Sequence, residues 1–161
     1  MGLSPKRWLL FTGSGYLTLL LIIQLLAMPL ALESMPESCP SSSQNCIHSS
    51  QSQSFRTELA PLRFNASIET VMQGLGEWEE DLWFAKIVTS NESAMRLIHR
   101  TPLMQYPDDV FISLECREGM VDVIFHSQSR LGKGDVGKNV DRFTDFHAVM
   151  SAKEYNGSCA Q

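Results

Sequence analysis

Basic residues are scarce after the first seven positions of this 161-residue chain. Lys6 and Arg7 are two of its 13 basic residues, which leaves 11 basic against 18 acidic residues and a net charge of −7 for the remainder. An acidic surface repels phosphate backbones and anionic head groups. The composition therefore excludes nucleic acid as a general partner, and any affinity for an anion has to be local.

The chain also lacks a second long apolar run. The one such run, residues 8–32, carries no charge up to its end and follows Lys6 and Arg7, which is typical of a helix that crosses a bilayer with its N-terminus in the cytoplasm. The small-residue pattern of a cleavage site is poor around Pro29 and Ala31. Residues 1–32 are therefore predicted to be a retained type II signal anchor on a single-pass membrane protein, with cleavage and secretion as the alternative.

The rest of the chain has no internal repeat and leaves room for one ordinary domain. Residues 33–54 hold nine serines together with Pro36 and Pro40, a composition typical of a linker. The predicted organisation is an anchor or signal peptide at 1–32, a linker at 33–54 and a domain at 55–161. The linker and the domain are expected in a lumenal or extracellular space.

Four cysteines make an even number in a small translocated domain, which favours disulfides. We expect Cys39 to pair with Cys46 across a short Ser-rich loop, and Cys116 to pair with Cys159. A metal site of Cys39, Cys46 and His48 is the competing interpretation, but the spacing matches no common zinc signature. No metal and no cofactor is therefore predicted.

Three Asn-x-Ser sequons agree with a lumenal or extracellular location, since glycosylation of such sites occurs on translocated chains. They lie at predicted turns or ends of elements, where a glycan is harmless. The predicted glycosylation sites are Asn65, Asn91 and Asn156.

Apolar spacing predicts a helix, four strands and a last helix, in that order. Apolar residues at helical spacing from Ile68 to Leu82 predict the first helix. Strands are predicted over 84–89, 94–100, 110–116 and 120–125, and Asn139 is the predicted N-cap of the last helix. Short connections favour a two-layer α+β domain, in which an antiparallel four-stranded meander carries both helices on one face.

Two nucleotide-binding patterns are present only in part. Gly132, Gly134 and Gly137 have the spacing of a dinucleotide fingerprint, but no further strand with an acidic residue follows. Asn139 stands where a P-loop has its magnesium-binding Ser or Thr. Neither pattern therefore predicts a nucleotide site.

Three motifs run through the part of the chain after the apolar segment. They are Asn45-Cys46-Ile47-x-Ser49-Ser50 after a Cys-Pro pair, Asp108-Asp109-Val110-Phe111, and Ser129-Arg130-x-Gly132-x-x-Asp135-x-Gly137-x-Asn139-x-x-Arg142. Together they resemble the domain of unknown function family 1499, DUF1499. The resemblance implies a domain without an established activity and adds a plastid membrane to the candidate locations. The family usually has Arg where this chain has His126.

The last motif predicts a local anion site, because its basic residues flank glycines ahead of a helix N-terminus, where backbone N–H groups favour negative charge. A structural alternative is that the arginines only pair with neighbouring carboxylates and fix the loop. The candidate ligand-binding residues are Arg130, Lys133, Asp135, Asn139, Arg142, Asp108 and Asp109.

These features favour a non-enzymatic binding or assembly module with a small anionic ligand or a protein partner. The alternative is a small hydrolase with Ser127 or Ser129 as nucleophile, His126 or His147 as base, and Asp108 or Asp109 as orienting group. No Gly-x-Ser-x-Gly elbow supports that alternative, and no catalytic residue is assigned. His48 and His99 are predicted to be solvent-exposed, without a role.

Overall fold

The computed structural model describes residues 4–41, 43–50, 62–134 and 136–159. Its first element is the 23-residue helix α1 (Pro5–Ala27), which a short 3-10 turn at Met28–Leu30 follows. The 25 residues Lys6–Leu30 have a mean hydropathy of 1.9 and are long and apolar enough to cross a membrane. A signal sequence near the N-terminus meets the same criterion.

Six strands form one antiparallel sheet: β1 (Cys46–His48), β2 (Leu62–Phe64), β3 (Ala85–Ser90), β4 (Ala94–Arg100), β5 (Pro107–Arg117) and β6 (Met120–Ser129). Strands β3 to β6 follow one another as antiparallel neighbours, as the four predicted strands do. Strands β1 and β2 both pair with the other edge of β6, one near each end. Among the described residues the sheet therefore has six strands, where four were predicted.

Strand β1 lies inside the segment 33–54 that the composition predicts to be a linker. Ile47 of this strand is fully buried, and Asn45 and His48 beside it are nearly so. Three residues are too few to produce a period-2 pattern, and the serines around them hide the one apolar side chain that enters the core. The ordered domain thus begins before residue 55, within the predicted linker.

Helices α2 (Ile68–Glu80) and α3 (Lys138–Ser151) share one hydrophobic core with the sheet. Ser67 caps α2 by accepting a hydrogen bond from the Thr70 amide. The ring of Phe146 lies 4.9 Å from that of Trp78 and 4.8 Å from that of Phe125, so the two helices and β6 meet in one aromatic cluster. The molecule is an α+β protein with an N-terminal helix, which confirms the predicted fold class.

Both predicted disulfides are present, which confirms the pairing. Cys39 is bonded to Cys46, seven positions away, and Cys116 is bonded to Cys159, 43 positions away. The second bond ties the C-terminal segment to the end of β5.

The sheet has two ends that differ in chemistry. At the end that we call the loop end, β4 and β5 join through residues 101–106 and β6 runs into the glycine-rich segment 131–137. At the other, the turn end, tight turns join β3 to β4 and β5 to β6. Helix α1 contacts the loop end: the Tyr16 hydroxyl donates to the Leu103 carbonyl at 2.5 Å, and Gln24 Nε2 donates to the Gln105 carbonyl at 2.8 Å.

Candidate functional site

Asp108 and Asp109 begin β5 and, because successive strand residues alternate, they face opposite sides of the sheet. Asp108 faces the helices and accepts a hydrogen bond from Arg142 Nη2 at 2.8 Å. Both side chains of this ion pair are less than a tenth exposed. The partner comes from α3, so the pair joins the helix layer to the sheet. Such a pair agrees with the alternative interpretation of the motif, in which its arginines pair with carboxylates and fix the loop.

Arg142 is also the centre of a wider buried network, which we call the helix-face cluster: Arg142, Asp108, Ser127, Ser129, Asn139 and His99. Arg142 Nη1 donates to Ser127 Oγ and to Asn139 Oδ1, each at 2.7 Å. Arg142 Nη2 lies 3.0 Å from His99 Nδ1. The Arg142 Nε atom is buried without a partner among the described residues. Most of the guanidinium's hydrogen-bonding capacity is therefore used inside the protein.

Asn139 is not the N-cap of α3, contrary to the prediction. Helix α3 begins at Lys138, and its N-cap is Gly137, whose φ of 83° is the left-handed conformation that glycine adopts without a Cβ penalty. Asn139 sits inside the first turn with its side chain buried, and its Nδ2 donates to the Asn45 carbonyl at 2.8 Å and to Ser129 Oγ at 3.0 Å. Its amide therefore links α3, β6 and the residue before β1.

Asp109 is the centre of a second network on the opposite face, the opposite-face cluster: Asp109, Arg130, Arg96, Phe111 and His126. Arg130 binds Asp109 with two hydrogen bonds, Nε to Oδ2 at 2.8 Å and Nη2 to Oδ1 at 2.7 Å. Arg96 approaches the same carboxylate at 3.5 Å and lies over the Phe111 ring. The Leu32 amide donates to Asp109 Oδ2 at 3.0 Å, so the segment after α1 is fixed here as well.

Two histidines that were predicted to be solvated are buried or half-buried, and this corrects the sequence interpretation. His48 is 3% exposed, and its Nε2 lies 3.0 Å from the Pro36 carbonyl. Burial and the positive charge of Arg142 lower the pKa of His99 to about 4. Burial and the neighbouring His48 lower the pKa of His126 to about 4. These rings are neutral at neutral pH and act as packing and hydrogen-bonding groups.

The hydrolase constellation does not assemble. His126 and Ser127 are adjacent on β6 and therefore face opposite sides of the sheet. The Ser127 hydroxyl is engaged by Asn139 Oδ1 at 2.5 Å and by Arg142, and Asp108 is engaged by Arg142. His147 lies on α3 with its ring 3.4 Å from Ser151 Oγ. Ser127 Oγ thus contacts an arginine and an amide, and Ser129 Oγ accepts from the Asn139 amide, where a triad needs a histidine.

A known protein family matches most of this sequence. The family described as "Protein of unknown function (DUF1499)" matches residues 37–150, which is more than half of the chain and includes both clusters. The chain belongs to the DUF1499 family. A comparison with the curated proteins finds no match. The family match begins within the predicted linker, in agreement with the position of β1 in the sheet.

A cleft opens at the loop end of this DUF1499 domain, between residues 101–106 on one side and residues 131–134 and 136–138 on the other; we call it the loop cleft. Its volume is about 760 Å³. Its polar lining comes from Thr101, Asp108, Ser129 and Lys138. Its apolar lining comes from Pro102, Leu103, Met104, Tyr106, Leu131 and Val136.

The remaining candidate residues differ in their placement. Lys133 is exposed, and its carbonyl accepts a hydrogen bond from the Gln44 amide at 3.3 Å. Lys138 is exposed and pairs with Asp141 of the same helix at 3.3 Å. Asp135 lies outside the described residues. The lysines are therefore the loop's solvent-accessible cations, whereas Arg130 and Arg142 are bound to carboxylates.

Cys39, Cys46 and His126 lie close enough to suggest a metal site, with their potential ligand atoms within 4.8 Å of one another. The metal site weighed in the sequence analysis had His48 in place of His126. The two sulfurs are joined in a disulfide, with Cys46 Sγ 3.9 Å from His126 Nε2. Metal binding requires thiolates, so the oxidised pair does not offer these ligands.

Proposed function

We propose that this DUF1499 chain is a membrane-anchored, non-enzymatic binding module that holds an amphiphilic ligand in the loop cleft. The observation that carries the proposal is the cleft itself, whose volume of about 760 Å³ falls within the usual range of small-molecule sites. Apolar walls with a few polar groups are typical of such sites, because burial supplies affinity and the polar groups fix orientation. The ligand accordingly has an apolar chain and a compact polar end.

The ligand's polar end is an anion in this proposal, but the residues that attract it differ from those expected from the motif. Arg130 and Arg142 are neutralised by Asp109 and Asp108, so neither has a free charge to offer. Lys138 lines the cleft and is paired only at the surface with Asp141, and such exposed pairs contribute little and rearrange easily. The candidate head group is therefore a phosphate or carboxylate beside Lys138.

The two buried clusters serve the site by fixing its walls. Asp108 and Asp109 hold the start of β5, and their partners Arg142 and Arg130 hold the first turns of α3 and the exit of β6. A cleft with preformed walls loses less conformational entropy when a ligand binds. The motif residues thus support a pocket that is lined largely by their neighbours.

Val136 at the rim supports a binding role in an independent way. It is 95% exposed, and its φ of 56° is one that β-branched residues rarely adopt. Neither solubility nor backbone preference favours valine at this position. Unfavourable backbone conformations of this kind cluster at ligand sites.

The test uses the full chain in an amphipol, with dodecyl phosphate as the probe and native mass spectrometry as the readout. Val136→Asp is the informative variant, because aspartate tolerates a positive φ better than valine and places a charge on the apolar rim. Val149→Asp, on the exposed side of α3, is the matched control. We expect the parent and Val149→Asp to retain the probe and Val136→Asp to lose it.

Lys138→Gln tests the anionic end. This variant should still retain the uncharged probe dodecyl maltoside but lose its preference for dodecyl phosphate. Lys86→Gln, on β3, is the matched control. Equal retention of both probes by all variants, or no retention by the parent, contradicts the proposal.

A further inference from the structure

The surface of the loop end is unusually apolar. Five large side chains are exposed there: Trp83 (82%), Leu103 (75%), Val136 (95%), Phe84 and Tyr106. The Arg100 amide donates to the Phe84 carbonyl at 3.0 Å, which places residues 83 and 84 beside residues 101–106. Outside α1 and the turn after it, the other large apolar side chains exposed in the described chain are Ile87, Val88 and Val149. Grouped exposed aromatic and aliphatic residues of this kind mark a contact surface.

The second half of helix α1 reaches the same surface. Tyr16 lies in the middle of the helix and Gln24 in its last turns, and both donate to carbonyls of residues 101–106. Ile23 and Ala27 of α1 are buried. Gln24 is the one strongly polar side chain in the apolar run 17–26, and an unpaired amide in lipid is costly. Its bond to Gln105 removes that cost, so the helix and the loop fit each other.

The segment 101–106 also satisfies much of its own backbone. The Thr101 amide donates to the Tyr106 carbonyl at 3.1 Å, the Gln105 amide donates to the Thr101 carbonyl at 3.0 Å, and the Tyr106 amide donates to Thr101 Oγ1 at 3.0 Å. Gln105 Nε2 donates to the Pro102 carbonyl at 3.0 Å. The segment contains no charged residue. Internally bonded, uncharged backbone is what a low-dielectric medium requires.

We infer that the loop end is immersed in the lipid bilayer beside α1, and that the loop cleft opens toward the lipid, so that its ligand is a membrane lipid that enters sideways. This inference rests on the proposed function for the occupant of the cleft, and on α1 as a retained anchor for the position of the bilayer. The partner is the bilayer, because the helix that contacts residues 101–106 is, within the described part of the chain, the one long and apolar enough to cross a membrane. Trp83, Phe84 and Tyr106 then lie where aromatic side chains concentrate at membrane interfaces.

The three glycosylation sequons agree with this orientation. Asn65, Asn91 and Asn156 are all exposed at the turn end, the far side of the domain from α1. Asn91 lies in the turn between β3 and β4, and Asn65 follows β2, whose Phe64 pairs with Val121 near the start of β6. A glycan at any of these positions points away from the membrane in the inferred arrangement.

Fluorescence quenching tests the depth of the loop. The full chain is reconstituted into nanodiscs of phosphatidylcholine, with or without bromine atoms on the acyl chains. A Trp8→Phe/Trp83→Phe background leaves buried Trp78 as the native tryptophan, and Leu103→Trp adds the probe at the loop end. Glu92→Trp, at the exposed turn end, is the control. We expect brominated lipid to quench the Leu103→Trp protein strongly and to leave the Glu92→Trp protein at the level of the background.

Native Trp83 supplies a second measurement that does not depend on an introduced residue. The fluorescence of Trp83 is the difference in intensity between the Trp8→Phe protein and the Trp8→Phe/Trp83→Phe protein. We expect brominated lipid to quench this difference. Equal, weak quenching at Leu103→Trp, Trp83 and Glu92→Trp overturns the inference. If dodecyl phosphate is still retained in that case, the proposed function stands and the ligand enters from water. If quenching is strong but no probe is retained, the membrane surface stands and the cleft proposal fails.

Discussion

The two ends of the sheet are held together by different interactions. At the loop end, charges are buried: Asp109 is fully inaccessible, and Asp108, Arg130 and Arg142 are each exposed by less than a tenth. At the turn end, Arg63 binds Glu118 and Asp122 at 2.9 Å, but all three side chains are more than a quarter exposed. A disulfide, Cys116–Cys159, replaces buried charge as the constraint there.

This difference predicts how each end responds to mutation. When one partner of a buried ion pair is removed, the other is left as an unpaired charge in a medium that solvates it poorly. When one partner of an exposed pair is removed, water replaces it. The loop end should therefore be sensitive to single substitutions, and the turn end should depend on its covalent bond.

Arg142→Ala should cause the largest loss. It leaves the Asp108 carboxylate buried without its cation and removes partners from Ser127, Asn139 and His99. We expect the free energy of unfolding to fall by about 5 kcal/mol, the upper part of the range for breaking a buried pair. Urea unfolding followed by circular dichroism measures it.

Asp108→Asn/Arg142→Met is the companion variant, because it removes both charges together. It should recover much of the stability lost by Arg142→Ala if the uncompensated charge is the main cost. A loss below about 1 kcal/mol for Arg142→Ala alone would show that the loop end does not depend on this pair.

Cys116→Ser/Cys159→Ser should have the next largest effect and acts at the turn end. The bond closes a loop with a sequence separation of 43, for which constraint of the unfolded chain predicts a loss of about 2 to 4 kcal/mol. Cys39→Ser/Cys46→Ser, with a separation of seven, is the comparison, and loop length alone predicts a smaller loss for it. Equal losses would mean that packing against His126 matters more than loop length.

The sequence predicted the repetitive part of this fold and missed what depends on isolated residues. The strands β3 to β6 and helix α2 have enough apolar periodicity to be recognised, and the cysteine pairing follows from a short loop and two distant partners. Strand β1 has one buried apolar residue, Ile47, and so carries no period. The N-cap of α3 was predicted two residues too late, at Asn139 instead of Gly137, because Asn139 is a good N-cap by type but is recruited into the buried cluster.

The sequence indicated which charged residues come together, but not which partner each of them binds. Asp108, Asp109, Arg130 and Arg142 do come together, and the alternation of β5 separates them into two pairs on opposite faces. Sequence alone does not show which arginine meets which aspartate, because that depends on the register of β5 with β6 and on the angle of α3. The burial of His48 and His99 was missed for the same reason.

Acidification should destabilise the loop end by a smaller amount. Burial and His48 lower the pKa of His126 from 6.5 to about 4, with the Asp109 carboxylate opposing this shift. At pH values between about 4 and 6.5, His126 binds more protons in the unfolded chain than in the folded one. The free energy of unfolding therefore falls as the pH falls below about 6.5. At pH 5 the loss from this residue is about 2 kcal/mol.

The measurement is urea unfolding of the parent chain at pH 7 and at pH 5, compared with His126→Gln, which does not titrate. The variant should lose part of the pH dependence. His99, which burial and Arg142 affect, has its pKa lowered in the same direction and should account for the pH dependence that remains. An unchanged pH dependence in His126→Gln would mean that this ring is not the source.

Arg63→Ala should have the smallest effect, although it removes two ion pairs at once. Its partners Glu118 and Asp122 stay in contact with water, and Arg117 lies 3.9 Å from Asp122 as a substitute cation. We expect a loss of about 0.2 to 1 kcal/mol, and less at high salt, because screening weakens exposed pairs. Urea unfolding at low and high ionic strength measures both. A salt-independent loss above about 2 kcal/mol would place Arg63 in the same class as Arg142, and the contrast between the two ends would fail.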